Sequence, residues 1–118
     1  MIKLKLTLLN QVFTVTLIDN PVAQAVLAQV PLTLTVDRSG ENEYYQSLPT
    51  QITANAPKTS LVQSEHLYYF AGSNALSLNF ADKVIAPYEV IEIGYFDRGL
   101  NTLLVRGVET FTIELTRS

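Results

Sequence analysis

Apolar and polar residues alternate along most of this chain, and alternation with period two marks a strand with one buried face. In "MIKLKLTLLN" the residues Ile2, Leu4, Leu6 and Leu8 fall on one side, and Lys3, Lys5 and Thr7 on the other. "VFTVTLID" repeats the pattern with Phe13, Val15 and Leu17 inward. A turn at Asn10 and Gln11 would join the two as an antiparallel hairpin, because Asn tolerates the left-handed conformation such turns need. The pattern breaks at "DNPVAQAVLAQVP". There Asp19 or Asn20 can cap a helix, Pro21 suits its first position and Pro31 stops it. This predicts a helix of about two to three turns. Val22, Ala25, Val26 and Gln29 would share one face, with Leu27 near its edge.

Strands resume in "LTLTVD" and "YYQSL", with the turn "SGENE" between them. "HLYYFAGSNALSLNF" reads as two strands joined at Gly72, Ser73 and Asn74. The connection "PTQITANAPKTSLVQSE" is polar, carries Pro49 and Pro57, and exceeds the ~12–15 residues usual for a loop in a compact domain. Such loops are often functional. "VIAPYE" is irregular, with Pro87 interrupting. "VIEIGYF" is a strand whose Gly94 suggests a bulge or a close backbone approach. "DRGLNTLLVRG", residues 97–107, predicts a second short helix with Leu100, Leu103 and Leu104 inward and Gly107 ending it. "VETFTIELTR" closes as a strand with Phe111, Ile113 and Leu115 inward. About eight strands and one or two short helices imply a mainly β domain over residues 1–118, closed or nearly closed as a barrel, because closure removes exposed edges. The helices would cap its ends.

Composition narrows the function. With 118 residues, 47 % of them hydrophobic and 16 % charged, the chain can bury one core and is not disordered. Its net charge of -3 and the lack of any Lys/Arg run argue against nucleic acid as a partner. There is no cysteine and one histidine, which removes thiolate nucleophiles, disulfides, iron–sulfur clusters and Cys- or His-rich metal sites; no metal or other cofactor is expected. The alternating N-terminal segment lacks the apolar run of a signal peptide, and no stretch approaches the ~18 residues of a membrane span. A cytoplasmic protein that does not enter a membrane is the expectation.

Few constellations carry chemistry. Glu65 and His66 are adjacent, so on a strand they would point to opposite faces, and no Ser or Cys nucleophile motif accompanies them. Arg38, Arg98 and Arg106 sit in turn-like contexts and read as surface charge, although each could grip a carboxylate or phosphate. "FAGSNA" is a hairpin turn and not a phosphate loop. The aromatic set is richer: Tyr44, Tyr45, Tyr68, Tyr69, Phe70, Tyr88, Tyr95 and Phe96. Tyrosines combine apolar area with a polar tip and line small-molecule and peptide sites. In each adjacent pair one ring should face the core and the other outward.

The stretches "DNPVAQAVLAQVPLTLTV", "YYQSLPT", "YYFAGSNALSLNF" and "IGYFD" resemble, in the same order and along nearly the whole chain, the bacterial cyclophilin-like domains of unknown function. That family reads like NPTA…LLPLTLTM, YYxLP, YGSN…LxLF and IGxID. The resemblance implies the cyclophilin fold, a closed eight-stranded β-barrel with a helix at each end. Prolyl isomerases of this fold carry a signature similar to FHRxxP, whose Arg is catalytic. "YYQSLP" aligns with it, placing Tyr44, Tyr45 and Gln46 at the Phe, His and Arg. The hexad would line the peptide cleft, without the fixed cation. The isomerases' GSQFF segment becomes "GSNAL", and Ala75 and Leu76 replace two aromatic walls. The chain also departs from the family, with Tyr88 and Glu89 before the "IG" strand and Glu65–His66 where relatives carry Gly-Asp.

These readings predict a protein that binds a small molecule or short peptide in a tyrosine-rich cleft, to which Tyr45, Gln46, Tyr69 and Tyr88 contribute. No residue is nominated as catalytic. Two alternatives stay open. One is a weak prolyl cis/trans isomerase acting without the Arg. The other is a structural or interaction module, either a monomer or a homodimer joined through a strand edge or aromatic patch.

Overall fold

The computed structural model describes residues 2–100 and 108–118. The N-terminal alternation becomes strands β1 (Lys3–Leu8) and β2 (Gln11–Leu17), with Leu4, Leu6, Leu8, Phe13, Val15 and Leu17 buried. The turn falls one residue earlier than expected. Leu9 and Asn10 take φ of 46° and 64°, and Gln11 already pairs with Leu8. A two-residue turn with both residues left-handed matches the twist of the strands it joins.

Helix α1 spans Pro21–Leu27. Asn20 is its cap, accepting a 2.8 Å hydrogen bond from the Ala23 amide, while its Nδ2 donates to the Glu92 carbonyl at 2.9 Å. The buried face is Val22, Ala23, Val26 and Leu27. Ala25 is only half-buried, and Gln29 lies beyond the helix with its amide on the Thr50 backbone. The helix ends at Leu27, so two i,i+4 pairs make the apolar stripe and the longer face expected through Gln29 does not form.

The remaining strands are β3 (Leu32–Ser39), β4 (Glu43–Ser47), β5 (Leu61–Val62), β6 (His66–Phe70), β7 (Ala75–Asn79), β8 (Lys83–Val84), β9 (Ile91–Phe96) and β10 (Thr110–Arg117). Eight of the ten described strands close an antiparallel barrel in the order β1-β10-β3-β4-β7-β6-β9-β2, and β1 pairs with β2 to complete it. β5 and β8 form a separate two-stranded sheet. α1 is the one helix among the described residues; the second helix expected over 97–107 falls on residues that lie, from 101 onward, outside them. Leu100 is buried, as expected. The peptides Val30–Pro31 and Ala86–Pro87 are cis.

Gly94 meets both expectations placed on it. The β6–β9 register steps from Leu67↔Gly94 to Tyr68↔Glu92, so Ile93 is the extra residue of a bulge. A Cβ on Gly94 would lie 2.8 Å from the Thr16 carbonyl oxygen of β2. Elsewhere strict alternation conceals a second layer. All five residues of β7 are buried: Leu76 and Leu78 point into the barrel, while Ala75, Ser77 and Asn79 point outward under a covering flap. The flap is made by residues 59–64 and 82–90, joined by the β5–β8 ladder and the Thr59–Val90 bridge. Beneath it Val62, Tyr68 and Val90 form a small satellite core, with Phe70 and Ile85 packed against it.

Candidate functional site

The outer face of β4 and β7 and the inner edge of the flap enclose a groove of about 660 Å³. Its floor comes from Glu43 and Tyr45 on β4 and from Ala75 and Ser77 on β7. The register sets Tyr45 opposite Ser77 and Ser47 opposite Ala75, so one face of two neighbouring strands supplies the surface. Lys83, Val84, Ile85, Tyr88 and Val90 form the far wall. Ser39 and Asn42 stand at one end, Phe70 and Ser73 at the other.

Asn79 holds the two walls in place. It is fully buried; its Nδ2 donates to the Gln63 and Ala81 carbonyls, both at 2.7 Å, and its Oδ1 accepts from Asn42 Nδ2 at 2.8 Å. One side chain thus clips the base of the flap to the barrel wall and to the β3–β4 turn. Asn74 does the same for the loop after β4. Its Oδ1 accepts from the Ile52 amide at 3.0 Å and from the Tyr69 hydroxyl at 2.6 Å, and its Nδ2 donates to Thr50 O at 3.0 Å. The long polar connection is therefore pinned, with Ile52 in the core.

Glu43 supplies the charge on the groove floor. Burial pushes its carboxyl above the usual carboxylate range; the Ser77 hydroxyl, donating to Oε2 at 2.9 Å, and the positive charge of Lys83 pull the other way more weakly. Tyr68 and Tyr69 are raised by burial, which keeps both phenols neutral. The Tyr68 hydroxyl accepts the Gln63 amide at 2.8 Å and so braces the flap from below.

Of the four residues nominated from sequence, the groove brings together two. Tyr45 is 38 % and Tyr88 64 % exposed, and both line it. Tyr88 meets Phe70 edge-on, with ring centroids 6.2 Å apart. Gln46 is on the same strand but not in the groove: its Nε2 donates to Thr35 O at 2.7 Å and its Oε1 accepts the Ser47 amide at 2.9 Å. Tyr69, 1 % exposed, lies inside the barrel. The phase of Leu67 carries this information, since residues two apart share a face: Leu67 and Tyr69 point in, Tyr68 and Phe70 out. Tyr44 and Tyr45 divide in the same way. Glu43, Ser77, Lys83 and Ile85 were not singled out, because no local motif marks them and the flap residues reach the groove only through tertiary packing.

The other candidates stand apart from the groove. His66 hydrogen-bonds through Nδ1 to Glu92 on β9, and not to its neighbour Glu65. Arg38 lies over the Phe80 ring, 4.9 Å from its centroid, and donates to Gly40 O at 3.0 Å. Arg98 lies over Phe13 and donates to Val12 O at 2.9 Å. Arg106 is outside the described residues. Among the described residues no three His, Asp or Glu side chains gather as metal ligands, and no helix is long and apolar enough to cross a membrane.

Residues 6–116 match the family model described as Cyclophilin-like family. No curated protein matches the chain. Among solved structures, the solution structure of a hypothetical protein from Archaeoglobus fulgidus is similar, with a TM-score of 0.74 at 19 % identity, over 99 % of this chain and 95 % of that one. At that identity the likeness is one of fold.

Proposed function

This chain belongs to the cyclophilin-like family, and from that premise we propose that it is a binding protein, taking a small molecule or short peptide in the groove between β4–β7 and the flap. The observation that carries the reading is the pairing of two exposed tyrosines, Tyr45 and Tyr88, with a part-buried carboxylate in one concavity of about 660 Å³. Ligand sites are typically ~300–1,000 Å³, mainly apolar, with a few polar groups that fix orientation. Phe70, Ile85 and Val90 provide the apolar part; Tyr45, Ser77, Glu43 and Lys83 provide the polar part.

Binding is favoured over proline isomerisation by what stands at the Arg position of the isomerase signature. Gln46 carries no charge, and both ends of its amide are engaged by backbone. A charged donor is worth roughly twice a neutral one, so the electrostatic help given to a rotating peptide carbonyl is missing.

The test is an amide NMR titration with a fragment set and an Xaa-Pro peptide mixture. Shifts are expected to cluster at Glu43, Tyr45, Ser77, Ile85 and Tyr88. Replacing both tyrosines (Tyr45→Ala with Tyr88→Ala) should weaken any such ligand about tenfold or more, at roughly 1 kcal/mol or more per aromatic contact. Millimolar titrations that move no groove resonance, or a double variant that binds as the parent does, overturn the reading.

A further inference from the structure

The groove is polar at one end and aromatic at the other. Glu43 begins β4 next to Asn42, and Lys83 Nζ reaches the same β3–β4 turn, 4.0 Å from where a Cβ on Gly40 would lie. At the opposite end Phe70 closes β6 beside Ala75, and Tyr88 stands edge-on to it. The wall from Lys83 to Tyr88 therefore runs lengthwise along the floor. From Glu43 to Ser47, the partner of Ala75, β4 covers four residue steps, or about 13 Å.

The two charges at the polar end are opposite and yet not joined. The ion pairs among the described residues are Arg38–Glu41, His66–Glu92 and Arg98–Asp97, and none links Glu43 with Lys83. They are close enough for the Lys83 charge to act on the Glu43 carboxyl. Glu43 Oε2 has the Ser77 hydroxyl, whereas Oε1 accepts no hydrogen bond among the described residues. A part-buried carboxylate oxygen and an ammonium thus face the same space without satisfying each other.

We propose that this end of the groove holds the zwitterionic head of an apolar α-amino acid, its ammonium on Glu43 and its carboxylate on Lys83, with the side chain lying along Tyr45 and Ile85 toward Phe70 and Tyr88. The inference rests on the groove being a ligand site, as proposed above. An α-amino acid carries both charges on one carbon, which fits two opposite charges at one end. A peptide spanning the groove would separate them by its whole length. A simple cation or anion would meet one protein charge of its own sign. The rings suit an aromatic or aliphatic side chain, and about 13 Å leaves room for one that is extended.

Calorimetry with four probes tests this: L-phenylalanine, phenethylamine, 3-phenylpropionate and N-acetyl-phenylalanine amide. L-phenylalanine is expected to bind at least tenfold more tightly than either singly charged analogue, with the uncharged amide weakest. Glu43→Gln should weaken L-phenylalanine and phenethylamine about tenfold and spare 3-phenylpropionate, and Lys83→Met should do the converse. If Glu43→Gln does not fold, the exposed Lys83→Met and the four-probe ranking of the parent carry the test. Equal binding of all four probes, or a ranking that neither variant changes, overturns the head-group assignment. Failure of all four overturns it too. Groove shifts with some other fragment would then show that the binding reading survives its loss.

Discussion

Single residues illustrate how far burial decides a role. Glu43 sits in "GENE", a stretch that looks like a solvated turn, and becomes the charged floor of the groove because β7 and the flap cover it. Its carboxyl titrates above the ordinary 4.5 in the folded chain. Between 4.5 and the raised value the folded state binds more protons than the unfolded one, so stability is full below that window and falls as pH rises through it. Glu43→Gln keeps an acceptor for Ser77 but has no charge to desolvate. It should be more stable than the parent at pH 7, with the difference closing below about pH 4.5, the unfolded-state value. Urea melts at pH 4 and pH 7 check this, and an equal gap at both would contradict it. Gly94 shows the same dependence on packing. Gly94→Ala places a methyl 2.8 Å from a backbone oxygen, and the strand must move. A loss of about 1–3 kcal/mol is expected from chemical denaturation.

At the scale of elements, the sequence was most legible where a local physical signal exists. Asp19, Asn20 and Pro21 announce the start of α1, with the structure selecting Asn20 as the cap, and period-two runs announce the long strands, because capping and pleat geometry act over a few residues. β5 and β8, of two residues each, carry no period and were invisible. Yet they make the flap, and the flap makes the groove. Its position depends on Asn79, a residue with no distinguishing context in "LSLNF". Asn79→Ala leaves the Gln63 and Ala81 carbonyls without their buried donor. At ~1–3 kcal/mol for each group so orphaned, a loss of about 3 kcal/mol is expected. Amide exchange should quicken in residues 61–64 and 82–86 by hydrogen–deuterium exchange mass spectrometry. Unchanged exchange there would mean that the flap is held by other contacts.

For the whole molecule, closure is the governing fact. β10 pairs with β1 on one side and β3 on the other, so strands far apart in sequence complete the barrel. Deleting residues 110–118 removes Phe111, Ile113 and Leu115 from the core and opens two edges. At ~1.5–3 kcal/mol for each buried side chain, the lost burial is comparable to the whole stability of a small domain. The truncated chain should show no cooperative melt by circular dichroism and should associate by light scattering. A monomeric, cooperatively melting truncation would refute this. Closure also bears on the interaction-module alternative: a dimer built on a strand edge has only β5 and β8 available among the described strands, since every barrel strand is paired on both sides.

The sequence by itself determined the mainly β character, the inward faces of β1, β2 and β10, the start of the helix and the barrel class, because alternation, capping and edge avoidance act through neighbours along the chain. It also implied that each tyrosine pair divides into one inward and one outward ring, but it assigned Tyr69 to the cleft, whereas the structure sets Tyr69 in the core with Leu67. Only the tertiary structure decided which outward rings share a concavity. Tyr45 and Tyr88 are 43 positions apart, and what brings them together is the flap folding over β7. The same packing encloses Glu43 and leaves its carboxylate opposite Lys83, because desolvation and the facing of charges arise from distances that no local pattern encodes.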